Sequence, residues 1–248
     1  MKKIADACNY LLNNYPEASK TKEYLNSRLL ESTQNTFQFG YFPDSFNLNA
    51  LINLIGENEL INNNLLYYKI VEDSSYPKKI PFSFFENYQM IVPFKNTYGE
   101  IVSLVGRTLL SEEQRQENKI AKYKNTSFHK GNHLFGLFEN QAEIIKENSV
   151  FIVEGQFDVI KAFEKKLYNV VALGNSNMTA FQFSLILRYT KNIRLLLDND
   201  QAGIKGRESI LTKYSKFANI TNSFVPEPFK DIDEYLSSNV FDLEAINN

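Results

Sequence analysis

One cysteine, Cys8, stands in a chain of 248 residues. A single thiol excludes an intrachain disulfide framework and any zinc site built on cysteine pairs. It fits a reducing cytosol. Long apolar runs are also missing, and none approaches the roughly 20 residues that a membrane-spanning helix needs. The N-terminus, MKKIADACNYLLNNYPEASK, starts like a secretory signal, but Asp6 and Asn9 interrupt its apolar part and Asn13 and Asn14 follow. It reads instead as a short amphipathic helix of a cytoplasmic protein with no membrane partner. Nor is there an excess of basic charge. The formal net charge is −2, so any surface for nucleic acid must be local. No internal repeat and no low-complexity linker interrupts the chain.

What is present is material for a core. Hydrophobic residues make up 43%, with 20 Phe and 14 Tyr, enough for one large domain or two modest ones. Residues 1–30 read as helices, and 23–46 keep helical spacing until Gly40 and Pro43 break it. Residues 47–70 predict one or two further helices. In NYQMIVPFKNTYGEIVSLVGRTLL (87–110) two strand-like runs flank a turn built on Asn96 and Gly99. Residues 111–132 are polar and locally basic, with Arg115, Lys119, Lys122, Lys124 and Lys130.

From about residue 149 the pattern turns regular. SVFIV, NVVALG and NIRLLL read as apolar strands, QFDVIKAFEKKL and MTAFQFSLILRYT as helices, and a third helix runs from about Ala202 to Phe217. NITNSFV is a candidate fourth strand. Such alternation implies right-handed crossovers and a parallel sheet. The fold class is therefore α/β. A mixed α+β subdomain covers 1–148, a parallel sheet flanked by helices covers 149–225, and an acidic motif with a short tail covers 226–248.

Ligands in parallel sheets sit beyond the carboxyl ends of the strands. Those ends carry acids here. The first strand leads into Glu154 and Gly155, with Asp158 one helical turn on, and the third leads into Asp198 and Asp200. Residues two apart in an extended segment point the same way, so these four carboxylates should share one edge. Taken singly, each piece has a plainer reading: a turn, an Asx-turn or N-cap, an acid in a first helical turn. Taken together they are costly unless a cation sits among them. The donors are all hard oxygens, which selects Mg²⁺ or Mn²⁺ over zinc or copper. A later cluster, Asp231, Asp233 and Glu234, reads alone as a solvated helix start.

The motifs VFIVEGQFDVIKA, LGNSN and LLLDNDQAGIKG together resemble the Toprim fold of primases, topoisomerases and some nucleases. The upstream half narrows the choice. Tyr24, Leu25, Arg28, Phe37, Gly40 and Tyr41 resemble the opening of the DnaG-type primase core. Gly106 and Arg107, then Lys122, Tyr123, Asn125, Phe128, Lys130 and the Leu134–Leu137 run, are similar to its later signatures, and KDIDEYL to its acidic motif. The similarity covers roughly residues 20–240.

The resemblance implies short RNA primers made from nucleoside triphosphates on a single-stranded DNA template. It implies that Asp198 and Asp200 hold the metal and that Glu154 binds metal or helps deprotonate the primer 3′-hydroxyl. Asp158 would support the site, and Asp231 and Asp233 would complete the metal and triphosphate pocket. Arg107, Lys122 and Lys130 would meet phosphates, Tyr123 and Asn125 a base or sugar, and Gly174 and Asn175 would lie at the nucleotide-binding tip of the second strand. The expected departures are an absent zinc-binding domain and an absent helicase-binding domain. The spacing from Asn125 to Phe128 is also shorter, and Tyr88 and Gln89 stand where arginines are usual. A reduced core suits a phage or mobile element, with a replicative helicase or a separate zinc-binding initiation protein as partner. The competing expectations are a Toprim nuclease and a non-catalytic replication factor built on a primase core.

Overall fold

A computed structural model of the chain describes residues 1–71, 78–238, 240, 242 and 246. Two compact units result. The first comprises Met1–Phe94 with Ile101–Phe128, the second Lys95–Glu100 with His129–Asn248. Among the described residues no helix is long and apolar enough to cross a membrane.

The first unit opens with helices α1 (Lys2–Asn14), α2 (Ser19–Arg28) and α3 (Glu31–Thr36), then strand β1 (Gly40–Tyr41) and helices α4 (Asn49–Ile55) and α5 (Glu57–Asn62). Ile4, Cys8, Leu11 and Leu12 form the buried stripe of α1, a helical spacing that turns one face inward. Gly40 has no side chain because a Cβ there would run into the backbone of Cys8 and Asn9. Strands β2 (Leu66–Val71) and β3 (Lys78–Ser83) form a separate antiparallel pair. Residues 66–71 therefore correct the expectation of helix through residue 70. The run LYYKIV is aromatic and β-branched, and it finds a ladder partner in β3 that local spacing does not reveal. Strands β4 (Met90–Lys95), β5 (Ile101–Arg107) and β6 (Tyr123–Asn125) join β1 in a sheet of order β1-β4-β5-β6, with helix α6 (Glu112–Glu117) before β6. Phe37, Phe39, Phe42, Phe85 and Phe94 are fully buried in this unit.

The second unit holds α7 (Leu137–Lys146), β7 (Val150–Val153), α8 (Gln156–Glu164), β8 (Val170–Ala172), α9 (Ala180–Ile186), β9 (Asn192–Leu195), α10 (Gln201–Tyr214), β10 (Asn219–Asn222) and α11 (Ile232–Ser237). All three strand pairings are parallel, in the order β10-β9-β7-β8. From β7 the chain moves one way to β8. It then crosses back to β9 and continues to β10. With right-handed crossovers, α8 lies on one face and α9 and α10 on the other. Val150, Ile152, Ile193 and Leu195 pack with Ile144, Phe183 and Ile210 in one cluster. The turn at 95–100 also belongs here: Lys95 pairs with Glu139 at 3.0 Å, both side chains largely buried, and Gly99 lies against the Phe138 ring.

Candidate active site

Reversal of strand order places a crevice between the carboxyl ends of β7 and β9, whose following helices leave toward opposite faces. Glu154 follows β7 directly, and its carboxylate accepts the Asp198 backbone N–H at 3.3 Å. Asp198 lies three residues past the last residue of β9, so the Asp198–Asp200 segment is a turn and not a strand end. This corrects the two-residue alternation expected there. Asp198 is half-buried, whereas Asp200 is exposed and caps α10, its Oδ1 accepting from Ala202 and Gly203 N–H at 2.9 Å each. Gly203 admits the Asp198 carbonyl to a place that a Cβ would occupy.

Asp158 turns back to the start of its own helix and accepts the Gly155 N–H at 2.7 Å. It is 8% exposed. Asp231 caps α11 by accepting the Glu234 N–H at 2.8 Å, and the Glu234 carboxylate accepts the Lys230 N–H at 2.8 Å. α11 packs against α8, which brings the late acidic motif back toward the sheet edge.

The acids sense one another. Burial, then Glu154, Asp231 and Asp200, push the Asp198 carboxyl up to about 7. Burial raises Glu154, with Asp200 adding to it. Burial also raises Asp158 well above the usual range, followed by Asp198 and, more weakly, Asp231 and Asp233. Lys230 opposes the rise at Glu154 and Asp198. Among the described residues no group of three or more His, Cys, Asp or Glu side chains is arranged to hold a metal ion. The donor set nevertheless suits a hard divalent cation, which would relieve the mutual repulsion that raises Asp198.

Three further residues of this unit stand by the same edge. Gly174, at φ +83°, follows β8 and donates its N–H to the Glu154 carbonyl at 2.8 Å. Its own carbonyl accepts from the Lys130 ammonium, which occupies the space that a side chain at 174 would need. Burial holds Lys130 below the ordinary lysine range. Asn175 is exposed and its side chain accepts the Asn177 N–H at 2.8 Å.

The remaining candidates gather within the first unit, on the β5–β6 edge. Arg107 pairs with Tyr123, and Val105 with Asn125. The Arg107 guanidinium lies 5.0 Å from the centre of the Tyr24 ring and 5.9 Å from that of Tyr123, while the Lys122 ammonium is 5.6 Å from the latter. Tyr24 on α2 and Arg107 on β5 are far apart in sequence, so the fold joins two of the motifs. The Asn125 side-chain oxygen is buried without a hydrogen-bond partner. Lys124, given no role of its own in the basic stretch, donates to the Phe84 carbonyl at 2.6 Å. Arg207 and Asn199 also escaped the sequence reading. Their one signal is the Gly203-x-x-Gly206-Arg207 spacing, which clears a face of α10 for close approach.

The family described as "DNA primase catalytic core, N-terminal domain" matches residues 9–141, and the family described as "Toprim-like" matches residues 151–236. A DNA primase of Aquifex aeolicus is 28% identical over 235 residues, covering 92% of this chain and 44% of the relative. One from Synechococcus elongatus is 29% identical over 233 residues, covering 89% and 32%. The chain thus spans under half the length of these relatives. The solved zinc-binding and RNA polymerase domains of the Aquifex aeolicus primase superpose with a TM-score of 0.70 at 27% identity, covering 95% of this chain and 57% of that one. The RNA polymerase domain of the Mycobacterium tuberculosis primase DnaG has the same fold, with a TM-score of 0.72 at 19% identity over 95% of this chain and 79% of the other. Since the first of these families accounts for more than half of the residues, and the second begins where the parallel sheet begins, this chain belongs to the DNA primase catalytic core family.

Proposed function

We propose that the chain is the catalytic core of a primase, joining nucleoside triphosphates into short RNA primers on single-stranded DNA. The observation that carries this reading is the Glu154 carboxylate held against the Asp198 backbone N–H at the switch crevice of a primase-family chain. In the reaction the primer 3′-oxygen bonds to the α-phosphorus of the incoming nucleotide, pyrophosphate leaves, and the hydroxyl proton passes to a base. Asp198 and Asp200, with Asp231 and Asp233 and, where it does not act as the base, Glu154, would hold Mg²⁺ or Mn²⁺. Such a cation would supply charge neutralisation at the phosphates and stabilise the attacking and leaving oxygens.

The protein side of the chemistry then divides among the other residues. Glu154, raised by burial, suits acceptance of the hydroxyl proton. Asp158 keeps the Glu154–Gly155 turn in place through the Gly155 N–H. Lys130 steadies the tip at Gly174 and Asn175 and offers a cation to phosphate. Arg107 and Lys122 would bind phosphates, Arg107 through its planar fork, and Tyr123 and Asn125 would meet a base or sugar. On this reading residues 1–148 grip template and nucleotide, 149–225 carry the chemistry, and 226–248, described in part, add the acidic motif. A solved DnaG catalytic domain is bound to single-stranded DNA, and the same template class is proposed here. A helicase or a separate initiation protein would serve as partner, in the cytoplasm.

Incubation of the chain with single-stranded DNA, labelled nucleoside triphosphates and Mg²⁺ or Mn²⁺, with products resolved by size, tests the proposal. RNA oligomers are expected. Asp198→Ala and Asp200→Ala should each lower their yield by at least about 100-fold. Shortened DNA in place of RNA would instead identify a nuclease, and undiminished synthesis by either variant would remove the assigned site.

A further inference from the structure

We infer that Arg207 is a positioning residue for the Asp198–Asp200 turn, a buried guanidinium fork that fixes the main chain so that the acids can share one cation. The inference rests on the function proposed above. Beyond Leu196, whose N–H still reaches the Ile152 carbonyl at 2.8 Å, the chain leaves the sheet, and the carbonyls of the turn need other donors. Arg207 supplies them. Its Nη1 donates to the Asp198 carbonyl at 3.2 Å, and its Nη2 to the Leu197 carbonyl and, at 3.5 Å, to the Asn199 side-chain oxygen. The residue is 4% exposed, with the guanidinium 4.9 Å from the centre of the Phe224 ring.

The fork is half of a longer strut. Asn199 passes the constraint on: its side-chain nitrogen donates to the carbonyls of Val225 and Phe229 at 3.0 and 3.2 Å, and its backbone N–H to that of Lys230 at 2.9 Å. Lys230 precedes Asp231. Thus one chain of contacts runs from α10, under the Asp198–Asp200 turn, to the residue before the third acidic position. Gly203 and Gly206 permit it by letting the carbonyls of Asp198 and Ser176 close onto α10.

Two effects of Arg207 oppose each other. Its charge competes with a bound cation, so deleting charge alone would tighten metal binding. Its fork holds the ligands' backbone, so deleting the fork weakens binding, as losing an outer-sphere partner commonly does by about 10- to 100-fold. Lysine keeps the charge but cannot span three acceptors in one plane. The comparison of Arg207→Lys with Arg207→Met therefore separates the two.

The experiment titrates the full chain with Mn²⁺, reading free ion by electron paramagnetic resonance without nucleotide. Primer synthesis against metal concentration and binding of single-stranded DNA are measured in parallel. Arg207→Lys should bind Mn²⁺ about tenfold or more weakly, and Arg207→Met, which also loses the competing charge, should be weakened less than Arg207→Lys. They should need correspondingly more metal for synthesis, with DNA binding unchanged. A lysine variant equal to the parent, with a methionine variant that binds more tightly, would make Arg207 a charge balance and overturn the inference. Parental Mn²⁺ binding with only a lowered melting temperature would reduce it to a structural residue, and a parent that binds no Mn²⁺ would also overturn it. If Arg207→Met does not fold, Arg207→Lys and the exposed Asn199→Ala decide the matter. Should the parent bind Mn²⁺ through this strut yet make no RNA, the proposed function fails and the positioning role stands.

Discussion

Gly203 bears the tightest backbone contact near the acids. It lies in the first turn of α10, where alanine would ordinarily favour the helix by about 1 kcal/mol. A Cβ there would instead enter the space of the Asp198 carbonyl. Forcing atoms into a packed site costs about 1–3 kcal/mol, so the collision wins. Gly203→Ala should lower stability and displace the Asp198 main chain, with loss of primer synthesis exceeding loss of folded protein. Thermal unfolding beside activity per folded molecule checks this. At Asp158 the neighbouring backbone decides the role, because its carboxylate closes the Gly155 turn. Its helical spacing from Glu154 was visible in the sequence; its burial and backward turn required the tertiary structure.

The elements differ in what their caps secure. Thr179 opens α9 with a reciprocal capping box to Gln182 and also donates to the Gly131 carbonyl at 2.6 Å. Ser111 makes the same box with Gln114 on α6, which buries nothing. Removing an N-cap hydroxyl costs about 1 kcal/mol where the helix is part of the cooperative core. Thr179→Ala should therefore lower the global unfolding free energy by about that much, while Ser111→Ala frays α6 locally and leaves the midpoint in place. Denaturant titration of both variants distinguishes the cases. The same contrast explains what could be read without coordinates. The β7–β10 alternation and the Asn96–Gly99 turn were legible because apolar runs and turn residues report them locally. The β2–β3 pair was not, since Leu66–Val71 becomes a strand through its partner at 78–83. The Arg207–Asn199 strut was nearly as hidden: the Gly203-x-x-Gly206 spacing marks a close approach but not a guanidinium that binds carbonyls nine and ten residues back along the chain.

Near neutral pH the net charge of −2 across the whole molecule is small, so pH acts there through the acidic crevice more than through general repulsion. Asp198 is raised from its ordinary 3.8 to about 7, and Glu154 and Asp158 are raised as well. A carboxyl raised on folding holds its proton longer in the native state than in the unfolded chain. Its stabilising contribution is complete below about pH 4 and is lost as pH rises toward 7. With chelator present, the melting temperature should fall over that window, and Asp198→Asn should flatten the fall. Equal slopes for parent and variant would show that Asp198 is not the origin. Added Mg²⁺ should raise the melting temperature most at the upper end of the range, because a ligand that binds the native state stabilises it by mass action.

Asp200 closes the first turn of α10 with a single carboxylate oxygen shared by two amides. A cation drawing on that carboxylate weakens the hold on both. The Ala202 and Gly203 amides are thus placed to act as a built-in gauge of occupancy. Hydrogen exchange at these two positions should quicken when Mg²⁺ is added, even as the rest of the sheet becomes better protected. Slowing at all positions alike would mean that the cap and the cation do not compete.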